Sequence, residues 1–479
     1  MRSRIIFLIL AVVGLGLIIG TLACSGGASG SGSGGGSGPT FSTGGGSYVS
    51  VSMSDPPTCA GPAGPYGHVY VTISDVQINT SATAAPTDAG WVDLTPSLKS
   101  APQQVDLLGT PNNSCFLAQL SGAQQVAAGT YQQVRIYLAA NNISLANNKC
   151  FTGNNCVQTS DGAFHALDLS SEITSGIKIP AAQIAGGGFT LAAGQTKNLN
   201  LDFDACASLV AEATGSFRLK PVMHAGEVSA TASSISGRLL DSATAQPIAG
   251  GNAIVALEQK DANSIDRVVM QTTPDSQGNF TLCPVPSGTY DVVAVAVNGS
   301  NTAYAASITL AIQPGTALGS ILLYPQTGVN TAAATITGKV TSTSGVAVDV
   351  MLSALQPIYV SGAPVQFTIP LAQQSSSTAT VTTASGASCA SGVNCAQYSL
   401  ALPAAQPYVG TYASTGTNYS QASGANYSVE GQAFSPGTGS TPDCTPSVVT
   451  VSTTPLSAPL IVVAGQTTTA ATMAFTSCQ

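Results

Sequence analysis

Residues 272–297 read "TTPDSQGNFTLCPVPSGTYDVVAVAV", and this stretch predicts strands joined by tight turns. Residues 275–278, Asp-Ser-Gln-Gly, have the composition of a hairpin turn in which the glycine supplies a positive φ. After the turn, Phe280 and Leu282 alternate with polar residues, as in a strand that buries one face. A second turn, Pro-Ser-Gly at residues 286–288, precedes the next strand. The stretch therefore favours a β-sandwich built from short antiparallel strands.

The same period of two recurs along the chain, whereas helical periodicity is nearly absent. Strands are predicted at "HVYVTISDVQI" (residues 68–78), where Val69, Val71 and Ile73 share a face, and at "QQVRIYL" (residues 132–138). One helix is predicted, "DACASLVAEATG" at residues 204–215, between an N-cap aspartate and a terminating glycine. We therefore predict an all-β chain: a string of β-sandwich or barrel domains with at most one or two short helices.

Composition limits the possible partners. The 479 residues are enough for about three domains. Only 7% of the residues are charged, against about 25% in typical soluble proteins. Asp and Glu outnumber Lys and Arg by 21 to 13, which gives a net charge of −8. No basic patch is visible, so nucleic acid is not an expected partner.

The N-terminus has the layout of a secretory signal peptide, which we place at residues 1–23. A basic start, Met-Arg-Ser-Arg, precedes an apolar run over residues 5–19 and then small residues up to Cys24. The sequence "TLAC" at residues 21–24 resembles a bacterial lipobox, which implies lipidation of Cys24. The alternative is an uncleaved membrane helix, because residues 5–24 have about the ~20 residues that a membrane span requires.

A Gly/Ser-rich tether follows at residues 24–46, with an expected r.m.s. reach of roughly 25 Å. Ser25, and not Asp, comes after Cys24. By resemblance to lipoproteins, this implies an outer-membrane lipoprotein that contacts the membrane through its lipid anchor.

Eleven cysteines are present, and lipidation of Cys24 leaves an even ten. Because an exported chain folds in an oxidising compartment, these ten are expected to form disulfides. Two pairs would close short Gly/Asn loops, and two more are candidates by position; a metal site is the weaker alternative. The candidate pairs are Cys150–Cys156, Cys389–Cys395, Cys59–Cys115 and Cys444–Cys478. Cys206 and Cys283 are left without an assigned partner.

Three domains are predicted after the tether. The first, residues 47–227, resembles a bacterial lipoprotein family known as domain of unknown function 4382. The resemblance rests on "VYVTISDVQI", "GWVDL", "VDLL", "AGTYQQVRIYL", "SGIKIP", "LDFDACASLV" and "FRLKPV", in this order. It implies a β-rich barrel or sandwich and no established activity.

The second domain, residues 233–325, resembles the carboxypeptidase regulatory-like, transthyretin-type β-sandwich. The resemblance rests on "ISGRLLDSATAQPIAGGNAIVALE" and on the opening stretch, with seven candidate strands up to Leu323. The third, residues 332–479, is a C-terminal β-sandwich and is interpreted as a degenerate copy of the second. Its "ITGKVTSTSG" parallels "ISGRLLDSAT", and its "YSLALPAAQPYVGTY" parallels "FTLCPVPSGTY".

Candidate chemistry is sparse. The three histidines, His68, His165 and His224, occur singly and without a metal-binding motif. "SGIK" at residues 175–178 matches the Ser-x-x-Lys nucleophile pattern, but it lies in a β-like run and is interpreted as a chance match. Asp202 and Asp204 form a weak candidate Ca²⁺ site. The favoured alternative is that Asp204 caps the predicted helix while Asp202 faces solvent. No other cofactor is expected.

These observations predict a non-catalytic lipoprotein of the cell envelope that binds a glycan or a protein, or serves as a scaffold. An exposed aromatic strip around Trp91, Tyr131 or Tyr137 would favour a glycan. The alternative is a cell-surface hydrolase with an unrecognised site. The scarcity of titratable residues argues against an enzyme, because acid–base catalysis requires positioned ionisable groups.

Overall fold

The structure is a computed structural model in which residues 44–479 form one compact unit. It describes residues 46–476 except for short segments. The segments left out are residues 56–59, 62–63, 110–114, 170–171, 204, 212–216, 220, 229–232, 249–252, 262, 286–287, 343–347, 361, 372–374, 376–377, 382–393, 424–425, 435–443, 445–447 and 453–458. The predicted signal peptide, Cys24 and nearly all of the tether lie outside the described residues. Across the described ranges, no helix combines the length and apolar character that crossing a membrane requires.

The first domain contains seventeen strands, one α-helical turn (Ala205–Ser208) and three 3-10 helices (Pro96–Lys99, Ala181–Gln183, Ala185–Gly187) among its described residues. The strands are β1 (Ser47–Ser54), β2 (Ala60–Gly61), β3 (Gly64–Pro65), β4 (His68–Asn79), β5 (Val92–Asp93), β6 (Gln103–Asp106), β7 (Ala118–Val126), β8 (Gly129–Tyr131), β9 (Gln133–Leu138), β10 (Cys156–Gln158), β11 (Phe164–Asp168), β12 (Ile177–Pro180), β13 (Phe189–Leu191), β14 (Thr196–Phe203), β15 (Leu209–Ala211), β16 (Phe217–Leu219) and β17 (Met223–Val228).

Two sheets enclose the core of the first domain. One has the order β17-β14-β1-β7, and the other follows β12-β9-β4-β10-β11-β16-β15, with β5 and β6 paired to β4. Alternate residues of β1 and β4, such as Val51 and Val71, are fully buried in one apolar cluster, as the period of two requires. The predicted helix at residues 204–215 is wrong beyond its first turn. Leu209–Ala211 leave it to pair with β16, so sheet pairing overrides the local helix pattern.

The second domain contains eight strands among the residues that the structure describes. They are β18 (Ser233–Asp241), β19 (Ala253–Lys260), β20 (Ile265–Thr272), β21 (Asn279–Val285), β22 (Tyr290–Ala296), β23 (Tyr304–Ala305), β24 (Ser307–Ile312) and β25 (Ala317–Pro325). The predicted turn precedes β21: Asp275 Oδ1 accepts the N–H groups of Gln277 and Asn279 at 2.8 Å. Gly278 has a φ of 79°, and a Cβ there would lie 2.7 Å from a backbone oxygen. This position therefore requires glycine.

In its described part, the third domain contributes twelve further strands. They are β26 (Ala334–Ser342), β27 (Val348–Val360), β28 (Ala363–Ile369), β29 (Thr378–Val381), β30 (Asn394–Leu402), β31 (Tyr408–Thr411), β32 (Ser420–Gln421), β33 (Asn426–Phe434), β34 (Val448–Val451), β35 (Leu460–Ile461), β36 (Thr467–Thr469) and β37 (Met473–Phe475). The all-β prediction is confirmed.

The second and third domains share one twelve-stranded sheet. Its path is β32-β31-β24-β22-β19-β20-β28-β27-β33-β34, with β29 paired to β27 and β35 paired to β33. The joins are parallel, β24 with β31 and β20 with β28. On β22, Val292 lies in the core shared with the sheet β21-β18-β25-β23, whereas Val293 lies in the core of the third domain. The sheet is thus buried on both faces, and it crosses the predicted boundary between residues 325 and 332.

The strand pairings of β18 and β26 follow the same plan. β18 pairs antiparallel with β21 and parallel with β25; β26 pairs antiparallel with β30 and parallel with β36 and β37. Gly237 lies opposite Phe280, and Gly338 lies opposite Tyr398. At both glycines, a Cβ would collide with the facing aromatic ring. The parallels noted in the sequence thus fall on positions with the same packing requirement.

The disulfides correct one pairing and confirm another. Cys150 and Cys156 are bonded, as predicted. The Cys59–Cys115 pairing is wrong, because Cys115 is bonded to Cys283, 168 residues away in the second domain. Sequence spacing could not reveal this bond, since a pairing between domains depends on their docking.

The other cysteines are only partly described. Cys395 and Cys444 are also disulfide-bonded. Their predicted partners, Cys389 and Cys478, lie outside the described residues together with Cys59, so those pairings stay predictions.

Removing the Cys115–Cys283 bond should lower stability more than removing Cys150–Cys156, because a disulfide that closes a longer loop restricts the unfolded chain more. The chain-entropy relation gives losses of about 5 and about 2 kcal/mol for the two loops. The test compares the Cys115→Ala/Cys283→Ala and Cys150→Ala/Cys156→Ala variants by denaturant unfolding, followed through Trp91 fluorescence. Equal losses, or a larger loss from the short loop, would contradict the larger stabilisation expected from the Cys115–Cys283 bond between the domains.

Candidate functional site

A polar layer covers the outer face of the larger sheet in the first domain. On β9, Val134 and Ile136 point into the core, while Gln133, Arg135 and Tyr137 alternate to the other side. Arg135 is nevertheless only 3% exposed. The loop that follows β4 and the turn that precedes β12 supply its hydrogen-bond partners. The layer therefore encloses a charge in a chain that has very few.

Arg135 joins these segments through neutral acceptors. Its Nε donates to Gln133 Oε1 at 2.9 Å, and its two terminal nitrogens donate to the carbonyl oxygens of Ser175 and Ala84 at 2.5 and 3.2 Å. Its guanidinium carbon lies 5.2 Å from the centre of the Trp91 ring, a cation–π arrangement. Burial lowers the pKa of Arg135 to about 10. The side chain fastens two loops to the sheet.

Lys178 lies directly opposite Arg135 in the β9–β12 pairing. Burial, reinforced by the Arg135 charge, lowers the pKa of Lys178 to about 7. The Ser175–Lys178 match to a nucleophile motif falls on a turn and a strand, and not on the helix face that this chemistry uses. The Ser175 carbonyl instead holds Arg135. The chance-match interpretation is therefore retained.

A second charged group lies on the same side of β4. Lys99 Nζ lies 3.3 Å from Asp75 Oδ2 and 2.7 Å from Asp93 Oδ2. Gln77 Nε2 also donates to Asp75 at 2.6 Å. Burial, followed by the neighbouring Asp93, raises the pKa of Asp75. Lys99 bridges the two carboxyl groups, and the contact joins the segment after β4 to the strand.

The aromatic residues considered for an exposed glycan-binding strip differ in their exposure. Tyr131 is 2% exposed, and its hydroxyl donates to the Ala127 carbonyl. Trp91 is half-buried and donates its indole N–H to the Ala85 carbonyl at 2.8 Å. Tyr137 is half-buried and packs over Gly176. An exposed strip through Tyr131 is therefore wrong, because its ring fills the core.

The candidate calcium ligand Asp202 does not face solvent. It is 2% exposed, and Oδ1 accepts the Ser54 hydroxyl at 2.9 Å. It borders a cavity with room for about one water molecule, lined also by Asn200 from the same strand and by Met270 and Pro284 of the second domain. The solvent-facing interpretation of Asp202 is wrong because the second domain covers this face of the sheet.

Asp204 lies outside the described residues. In the part of the chain that is described, no three His, Cys, Asp or Glu side chains are grouped to share a metal ion. The Ca²⁺ site stays a prediction.

The three histidines lie in different surroundings. His68 Nδ1 lies 2.6 Å from Asp106 Oδ2, and His165 packs 5.1 Å from the ring of Phe217. His224 pairs with Asp202 across β14 and β17. Burial lowers the pKa of His224 to about 4, so it is neutral at pH 7.

Buried carboxyl groups mark the join between the second and third domains. Glu258 and Asp266 are 0% and 1% exposed. Thr368 of β28 donates its N–H to Glu258 Oε2 at 3.2 Å and its hydroxyl to the Asp266 carbonyl at 2.7 Å. Burial, reinforced by neighbouring carboxylates, raises the pKa of Glu258 well above its usual range and that of Asp266 to about 7. Lys260 Nζ lies 4.0 Å from Asp266 Oδ2.

Comparison with known proteins identifies the first domain. Residues 47–221 match the family described as "Domain of unknown function (DUF4382)". No curated protein matches the chain.

Three solved structures show low similarity. The Bacillus anthracis TIE protein is 9% identical with a TM-score of 0.16; the match covers 90% of this chain but only 50% of the TIE protein. The shaft pilin SpaA of Lactobacillus rhamnosus GG is 13% identical, with a TM-score of 0.17, over 60% of this chain and all of the pilin. The minor pilin GBS52 of Streptococcus agalactiae is 11% identical, with a TM-score of 0.17, over 52% of this chain and 97% of the pilin. These TM-scores are too low to support an argument about function.

Replacing Arg135 with methionine should loosen the polar layer, because three oxygen acceptors would lose their donor and buried unpaired groups are costly. We expect the Arg135→Met variant to lose about 1–3 kcal/mol of stability, the cost of leaving buried neutral acceptors without a donor. Its Trp91 emission should also shift, since the chain's single tryptophan contacts this guanidinium. The matched control is Arg238→Met, which removes one exposed contact to Gln277. Wild-type emission and stability in Arg135→Met would show that the layer does not depend on Arg135.

Asp266 should make the domain join less stable at alkaline pH. Its folded pKa of about 7 exceeds the unfolded value of 3.8, so its stabilising contribution is complete below pH 3.8 and is lost as the pH rises through 7. The Asp266→Asn variant should therefore gain stability over wild type between pH 4 and pH 8.

The control, Asp275→Asn, should show the opposite sign. Hydrogen bonds from Asn279 lower the pKa of Asp275, so its contribution is present above the unfolded pKa and is lost as the pH falls. Thermal unfolding at pH 4, 6 and 8 measures both differences. A pH-independent difference for Asp266→Asn would refute a raised pKa for Asp266 in the folded protein.

Proposed function

We propose that this chain is a lipid-anchored protein of the bacterial cell envelope, attached through Cys24 to the outer membrane, that acts as a non-catalytic binding scaffold. In this proposal the first domain is a lipoprotein module. The second is a carboxypeptidase regulatory-like sandwich that positions its neighbours.

The observation that carries the scaffold proposal is the joining of the three predicted domains. One sheet continues through the second and third domains, and the Cys115–Cys283 disulfide ties the first domain to the second. The 3-10 helices at Ala181–Gln183 and Ala185–Gly187 also contact β19 and β20. Such a unit resists independent domain motion, as suits a scaffold that holds a binding surface in place.

Export is supported by the disulfides, because they persist in oxidising compartments. A non-catalytic role is supported by the use made of the charged groups. Arg135, Lys99 and Asp75 fasten loops to the first domain, and Glu258 and Asp266 lie under the join of the second and third. These charged groups therefore have structural roles in the fold.

The anchoring proposal predicts that the Cys24→Ser variant loses its acyl attachment, which needs the thiol, and is recovered unlipidated in fractionated cells. Stable anchoring takes two hydrophobic attachments, and a lipidated N-terminal cysteine would supply them.

A pair of variants at Ser25 serves as the matched control. Ser25→Asp should move the protein to the inner membrane, while Ser25→Ala should leave it in the outer membrane fraction. A processed, membrane-bound Cys24→Ser protein of mature size would refute the anchor without affecting the scaffold.

A further inference from the structure

Four tyrosines gather where the second and third domains share their sheet. We call this group the tyrosine platform: Tyr324, Tyr408, Tyr412 and Tyr419. The parallel pairing of β24 with β31 sets Tyr408 beside Ser307, and the rings of Tyr324 and Tyr408 stack at 3.6 Å with an interplanar angle of 9°. Tyr324 is the next-to-last residue of β25 and Tyr408 begins β31, so the platform exists only because the two domains are joined.

Two of the tyrosines are held by the core of the second domain, and the other two are partly exposed to solvent. Tyr419 and Tyr412 pack against the core of the second domain. The Tyr419 hydroxyl lies 2.7 Å from Thr309 Oγ1, and the Tyr412 hydroxyl lies 3.5 Å from the Ala317 carbonyl. Tyr324 and Tyr408 are partly exposed, and within the described part of the chain their hydroxyl groups have no protein partner. The stacked pair therefore offers ring surface and free hydroxyl groups together.

An amide side chain stands next to this pair. Gln421 of β32 lies directly opposite Tyr408 in the antiparallel register, so both side chains point to the same face. Gln421 is exposed, and its amide has no protein hydrogen bond among the described residues. A hydrogen-bond donor and an acceptor thus lie beside the ring of Tyr408.

The platform is made entirely from uncharged sequence. Residues 292–338 and 350–429 contain no Asp, Glu, Lys, Arg or His, and all four tyrosines and Gln421 fall within these two stretches. A surface of aromatic rings, hydroxyl groups and an amide offers no ion pair to a charged ligand. Its chemistry suits a neutral ligand that has both apolar faces and many hydroxyl groups.

We propose that the tyrosine platform binds a neutral oligosaccharide. The C–H face of a pyranose ring packs on the negatively polarised face of an aromatic ring, here the exposed part of the Tyr324–Tyr408 pair. The tyrosine hydroxyls and the Gln421 amide then exchange hydrogen bonds with the sugar hydroxyls. Tyrosine suits this role because it supplies a large amphipathic contact at low entropic cost. The inference deepens the proposed binding role and rests on it, but not on the anchor.

The test is native affinity electrophoresis of the full chain in detergent. Separate gels contain the neutral polysaccharides hydroxyethyl cellulose, dextran or starch, or the anionic polysaccharide alginate. We expect the full chain to be retarded by at least one neutral polymer. In solution, the same polymer should leave the Trp91 fluorescence emission unshifted, because Trp91 lies in the first domain. The Tyr408→Ala substitution should lower the apparent affinity for that polymer, measured from the retardation, tenfold or more. The matched control is Tyr359→Ala, which removes a 62% exposed tyrosine elsewhere in the third domain and should retain wild-type binding.

Two milder variants keep the test decisive if Tyr408→Ala does not fold. Gln421→Ala alters an exposed side chain and should weaken binding several-fold. Tyr408→Phe keeps the stack and loses only a hydroxyl, so its loss should be smaller. The proposal is overturned by retardation in alginate alone, by no retardation in any neutral gel, or by unchanged binding in Gln421→Ala together with unchanged binding in Tyr408→Ala. If Tyr408→Ala does not fold, unchanged binding in both Gln421→Ala and Tyr408→Phe overturns it. These results concern the platform only, and membrane attachment is read separately from Cys24→Ser.

Discussion

Burial of one sheet on both faces is the constraint on which the rest of this structure depends. Strand β22 reads Tyr-Asp-Val-Val-Ala-Val-Ala, and its valines and alanines alternate between two apolar cores. A strand with one wet face carries polar residues at every second position, whereas a strand covered on both sides is continuously apolar. Since each face needs its own covering layer, the second domain cannot be completed without strands and side chains of the third.

The parallel pairing between the second and third domains buries ionisable groups, which is energetically unfavourable. Where β20 meets β28, Glu258 and Asp266 are enclosed and Thr368 supplies hydrogen bonds to both residues. Arg267 and Glu430 form a charged pair nearby, which links β20 to β33. Buried charges persist only when they are paired, hydrogen-bonded or neutralised by a pKa shift, and all three solutions occur here. In a chain with 7% charged residues, this concentration of ionisable groups marks the join as a specific contact.

The first domain also uses a buried charged residue to hold its structure together. Arg135 is one of 13 cationic residues, and its hydrogen bonds hold two loops to the sheet. Its position could have been noticed in the sequence, because an arginine alternating with valine, isoleucine and tyrosine in "QQVRIYL" needs a partner when its strand is covered. The sequence could not identify that partner, because two of the acceptors come from residues 51 and 40 positions away. The tyrosine platform was likewise invisible, since Tyr324 and Tyr408 are distant in the chain.

Local physics let the sequence determine the β class, the turn at residues 275–278, the buried alternation of β4 and the Cys150–Cys156 loop. Each of these depends on residues within one turn or strand of one another, where backbone preference and the period of two decide the outcome. Tertiary structure alone decided the Cys115–Cys283 bond, the covering of Asp202 and the conversion of the predicted helix after Ser208 into a strand. It also decided the sheet that joins the second and third domains. These features depend on which surfaces meet, and the free energy of that meeting comes from apolar faces and strand edges contributed by distant segments.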